Sequence, residues 1–155
     1  MMSALQAVEA WGPVAALRTS TVAYPVVNAL HILGVSLLVG VILALDARVL
    51  GIRRGSGWRA SVAELSPVAA AGLLLAIATG ALLFAVRASR YIENPALLTK
   101  WALIALGLVN VLVFHRAMRR SQDAAPSLTL RLCAAVSAAT WIGAVFAGRW
   151  IAFAG

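Results

Sequence analysis

Four apolar runs divide the chain, at 22–45, 68–86, 96–114 and 132–153, each bounded by charged or turn-forming residues. About 20 helical residues cross a hydrocarbon layer of about 30 Å, so each run has the length of a membrane span. Nothing in them alternates with a period of two, which favours helices over barrel strands. Proline marks where the runs begin: Pro25, Pro67, Pro95 and Pro126 each stand at or just before a start. A first-turn proline has no intrahelical hydrogen bond to lose. Ser66 and Asn94, each directly before a proline, add candidate N-caps. The pattern predicts helices at 22–46, 67–88, 95–117 and 128–153. These form an all-α, up-down-up-down transmembrane four-helix bundle, one domain over 1–155. Ahead of it, SALQAVEAW followed by Gly12-Pro13 reads equally as a short interfacial helix or as a frayed terminus.

Composition agrees with the spans. Of 155 residues, 63% are hydrophobic and 12% charged, well beyond the usual apolar share of a soluble domain. The net charge of +8 would suggest nucleic acid in a soluble chain, but its placement suggests topology instead. Arg48, Arg53, Arg54 and Arg59 follow the first run, and Arg116, Arg119, Arg120 and Arg131 lie between the third and fourth. They account for eight of the thirteen basic residues. By the positive-inside rule these loops face the cytoplasm and both termini the outer side of a bacterial inner membrane. The partner expected is the lipid bilayer with its anionic head groups, not nucleic acid. The N-terminal twenty residues have no basic n-region with a continuous apolar core, so the first span is expected to serve as its own insertion signal. The single cysteine, Cys133, reads as a small buried hydrophobe.

Two rows of small residues at spacings of four, Gly72, Ala76, Gly80 and Ala139, Gly143, Ala147, are expected to be helix-packing faces. Trp11, Trp101 and Trp150 at one membrane face and Trp58 at the other fit an aromatic belt.

Ionisable groups at membrane depth carry the chemical information, because burying them in lipid is costly without a cavity or partner. Tyr24, Asn28, His31 and Val35, spaced by four, three and four, share one stripe of the first helix, and Asp46 returns close to it. His115, the other histidine, lies at the cytoplasmic end of the third helix. His31 is about 22 Å from that level, too far for the two to share an iron. Lys100 comes at the depth of His31 on the antiparallel third helix, and Arg87 and Arg149 fall in the same layer. A histidine beside an amine and two guanidinium groups suits an anionic cofactor whose metal binds imidazole and whose carboxylates bind arginine.

The order LHILGVSLLVG, then SPVAAAGLLLAIATGALLF, then NPALLTKWALIALGLVNVLVFH resembles the small four-helix membrane proteins grouped with copper-resistance protein D. The layout is also similar to that of HemJ-type protoporphyrinogen oxidases. The likeness covers roughly 22–153 and rests on His31, Pro67, Gly80, Lys100 and His115. It implies haem b or copper at His31, with Lys100 as a second ligand or electrostatic partner. Two other readings stay open: a His31-dependent proton or metal transport element, and a cofactor-free structural subunit. The chain would then act as a homo-oligomer or beside a partner membrane subunit.

Overall fold

In the computed structural model, residues 2–52, 57–121, 125–151 and 153 are described. Arg53 and Arg54 of the first basic loop lie outside them. The elements are α1 (Met2–Ala10), α2 (Gly12–Thr19), α3 (Ala23–Val49), α4 (Trp58–Ala85), α5 (Ala88–Tyr91), α6 (Pro95–Arg120) and α7 (Leu128–Trp150). No strand occurs among the described residues. The helices α3, α4, α6 and α7 are each long and apolar enough to cross a membrane, so the chain is a multi-pass membrane protein.

Their apolar character runs around the whole circumference. Ile32, Leu33, Leu74, Ile77, Val109, Leu112 and Phe146 all remain exposed on the bundle surface, as expected of side chains solvated by lipid. The helices pair as α3 with α4 and α6 with α7, and α3 packing on α7 joins the two hairpins. The order around the bundle is therefore α4, α3, α7, α6. No extended contact closes α4 against α6. The most enclosed span is α7, with 39% of its most apolar stretch buried against 11–17% in the others.

Glycine sets the spacing of the first hairpin. A Cβ on Gly34 would lie 2.8 Å from the Ala76 amide nitrogen, and one on Gly72 would lie 2.7 Å from that of Leu38. The two backbones touch, and any larger residue would force them apart. The row Gly72, Ala76, Gly80 is thus consumed inside the chain. In the second hairpin the Trp141 ring lies on Gly107, where a Cβ would meet it at 3.0 Å.

Two predicted boundaries move. The second span begins at Trp58 rather than 67, and Pro67 sits inside α4. The preceding turns, WRASVAEL, are amphipathic: Trp58, Ser61 and Val62 are buried and Glu64 is exposed. Packing of that face extends the helix past the proline, at the cost of one backbone hydrogen bond to the Ala63 carbonyl. Trp58 correspondingly leaves the expected aromatic belt, packing in a cluster with Val49, Val62, Leu130 and Ala134. At the other end the second span stops at Ala85, and Ala88–Tyr91 forms a separate turn of helix. The α6 start is as predicted: Asn94 caps it by accepting from the Ala96 amide at 2.9 Å, with Pro95 at the first helical position.

The N-terminal stretch folds as two short helices. The Glu9 carboxylate accepts from the Ser89 amide and hydroxyl, both at 2.7 Å, which docks α1 on α5. These bonds hold the Glu9 carboxyl below its usual range, led by the hydroxyl bond. At the loop end, Arg59 donates to the carbonyls of Met118 and Ser121, and Arg48 donates to Ser61. Part of the basic charge therefore ties helix ends together as well as marking the loops.

Candidate functional site

His31 lies on α3 where that helix packs against α4. Its Nδ1 is 3.0 Å from the Ala76 carbonyl and 3.1 Å from the Thr79 hydroxyl. A carbonyl only accepts, so Nδ1 carries the hydrogen. Thr79 itself donates back to the Leu75 carbonyl at 2.6 Å, which fixes its oxygen as a second acceptor for Nδ1. In the neutral ring the lone pair then belongs to Nε2, and among the described residues Nε2 makes no hydrogen bond. The ring is backed by Gly80, whose added Cβ would meet Cε1 at 3.0 Å. An imidazole tethered through Nδ1–H to a carbonyl, with Nε2 bare, has the orientation that metal-binding histidines adopt.

The amine of Lys100 crosses α7 at Gly148, where a Cβ would sit 3.3 Å from Nζ. Spacing alone places these two groups at one depth, His31 on α3 and Lys100 on α6. Trp101 follows Lys100 and packs on Phe84 of α4, ring centroids 5.5 Å apart.

The rest of the expected layer is looser. Tyr24 is half-buried about two turns beyond His31, whereas Asn28 is exposed and does not join the packed stripe. That stripe runs instead through Gly34, Leu38, Ile42 and Asp46. A spacing of three turns a helix 60° short of a full turn, so Asn28 falls to the side of His31 that packing leaves open. Arg87 and Arg149 are both exposed at the end of the bundle that carries the termini, and Arg149 stacks over Phe153 at 5.2 Å.

Asp46 belongs to a different place. It lines a cavity of about 310 Å³ in the half of the bundle nearer the basic loops, walled by all four spans. His115, Asn110, Ser66, Ser137 and Trp141 line it too, and His31 does not. A continuous polar path from His31 to Asp46 is thus not formed: Asn28 is exposed, and the packed residues Leu38 and Ile42 separate the two. The sequence reading missed Asn110, Ser137 and Trp141. Each is a polar-tipped residue well inside a span, the signal that singled out His31.

Among the described residues no three of His, Cys, Asp and Glu come together as a metal-binding group. Comparison with family models, curated proteins and solved structures finds no match for the chain.

Proposed function

We propose that this chain is a haem-binding membrane protein in which His31 Nε2 would hold the iron of a haem b. The observation that carries the reading is the Nδ1–H bond from His31 to Ala76, which fixes the tautomer and leaves Nε2 unpartnered. Copper fits the donor set less well. A copper site draws several imidazole, thiolate or thioether ligands, and among the described residues no three of His, Cys, Asp and Glu come together. A haem needs one or two axial nitrogens, and its propionates need cations.

In this reading Ala76 and Thr79 orient the imidazole, and Gly80 gives the ring room to stand against α4. Lys100 supplies a second nitrogen or a compensating charge. Arg87 and Arg149, at the exposed terminal end, hold the propionates. When bound, haem would supply a one-electron carrier. The helix ends bearing Arg48, Arg59, Arg116, Arg119, Arg120 and Arg131 face the cytoplasm of a bacterial inner membrane, so a haem held at His31 would lie towards the outer side.

The test is an absorption spectrum and metal analysis of the detergent-purified protein. A Soret band is expected, lost in His31→Ala while the far-ultraviolet circular dichroism is unchanged, and shifted in Lys100→Met if the amine is the second ligand. A purified chain with neither haem nor copper, or with a haem content indifferent to His31→Ala, refutes the reading. The structural-subunit alternative is weakened because its small-residue faces are already used: Gly34 and Gly72 contact each other's helices, and Leu103 lies against Gly143.

A further inference from the structure

Two residues that line the cavity around Asp46 each carry an unpartnered polar atom. Trp141 and Asp46 are 3% and 8% exposed, and Trp141 Nε1 and Asp46 Oδ2 have no hydrogen-bond partner. Three of the other polar lining residues have partners. Ser137 bonds the Asp46 side chain, Asn110 donates to the Cys133 carbonyl at 2.9 Å, and His115 donates through Nδ1 to the Val111 carbonyl at 2.8 Å. Unpartnered polar atoms on two residues that line one membrane-embedded cavity are costly unless a small shift of either side chain lets them meet a ligand there. At about 310 Å³ the space lies at the lower end of small-molecule sites, about 300–1,000 Å³.

We infer that this cavity binds the ring of a membrane-soluble quinone, in its oxidised or reduced form. Three features select that chemistry. Most of the lining is apolar, including Leu38, Ile42, Val62, Leu73, Leu108 and Phe114, which suits a ring entering from lipid and excludes a strongly hydrated ion. The indole N–H is a donor in every state, and both a carbonyl and a phenolic oxygen accept from it. The Asp46 carboxyl serves both forms of the couple: protonated, it donates to a quinone carbonyl, and ionised, it accepts from a quinol hydroxyl. The α4–α6 seam, where the two backbones make no extended contact, is the wall from which a ring would enter. This inference is independent of the haem reading, since His31 is not part of the cavity wall.

Calorimetric titration of the full-length protein in detergent with decylubiquinone, and anaerobically with its quinol, tests it. One saturable site per chain is expected. Trp141→Phe, which keeps the ring and removes the N–H, should weaken both forms roughly 5- to 20-fold. Asp46→Leu, which fills the polar end with methyl groups, should abolish binding, and Thr99→Ala, exposed and outside the cavity wall, should leave it unchanged. Melts followed by circular dichroism establish that the variants remain folded, and Trp141→Phe, the mildest change, stands on its own if Asp46→Leu does not fold. Absence of saturable binding overturns the inference. So does equal affinity in wild type and Trp141→Phe, the result expected if only acyl chains or water fill the space. Loss of binding in His31→Ala with Trp141→Phe unaffected would place the ligand at His31 and also overturn it.

Discussion

Replacing Gly72 by alanine should do more damage than its single methyl suggests, because that methyl has only backbone in front of it. The new Cβ would lie 2.7 Å from the Leu38 amide nitrogen and 2.9 Å from the Gly34 carbonyl oxygen. Neither atom can rotate away, so α3 and α4 must separate by about 0.7 Å to reach ordinary contact, and overpacking of this kind costs about 1–3 kcal/mol. Gly40→Ala is the matched control, since nothing lies within 4 Å of a Cβ there. Both changes gain the same helix propensity, about 0.5–1 kcal/mol, so the difference between them isolates the clash. The same separation acts on the candidate site. His31 bonds Ala76 at 3.0 Å one turn along from Gly72, and a displacement of about 0.7 Å would take that contact out of hydrogen-bond range. The assay is reversible unfolding in mixed detergent and dodecyl sulfate micelles, followed by far-ultraviolet circular dichroism, with any haem content measured alongside. Gly72→Ala should be less stable than Gly40→Ala by about 1–3 kcal/mol and should lose haem occupancy. Equal stability of the two variants would refute the claim that backbone contact sets the α3–α4 spacing.

Two further outcomes follow from the terminal end of the bundle. Removing the Asn94 cap in Asn94→Ala should cost about 1 kcal/mol, because the side chain accepts from Ala96 and also donates to the Ile151 carbonyl at 3.3 Å. Unfolding in the same micelles measures it, with Thr99→Ala as a control that loses only an exposed bond to Pro95. The docking of α1 on α5 should depend on pH. The Glu9 carboxyl is held below its usual range by Ser89, so its contribution is present above the ordinary carboxylate range and is lost as pH falls through the lowered value. The Ser89 amide resonance should shift on acidification, and Glu9→Gln should remove that titration while leaving the four spans in place. A Ser89 shift that titrates identically in Glu9→Gln would show that another group is responsible.

Several elements were readable from local pattern because their cause is local. Run length and turn residues gave four spans, and Asn94-Pro95 gave the start of α6, since an N-cap needs only its own first turn. The second span shows the limit. Pro67 looks like a beginning, yet α4 begins at Trp58, because burial of Trp58 and Val62 against Val49, Leu130 and Ala134 extends the helix upstream. That contact is made by residues distant in sequence.

The candidate site divides in the same way. Helical rise and antiparallel direction were enough to put His31 and Lys100 at one depth, because rise per residue is nearly constant. Rotation about the helix axis is not fixed by depth. Packing left Asn28 exposed and turned Asp46 inward, and it decided that the His31 ring meets Ala76, Thr79 and Gly80. By itself the sequence determined that this chain crosses the membrane four times as helices and which polar groups lie within the spans. Only the tertiary structure decided which of those groups share a pocket. It separated Asp46 from His31 and grouped it with Trp141, Asn110 and His115, because a cavity is made by the faces of four helices at once and is written in none of them.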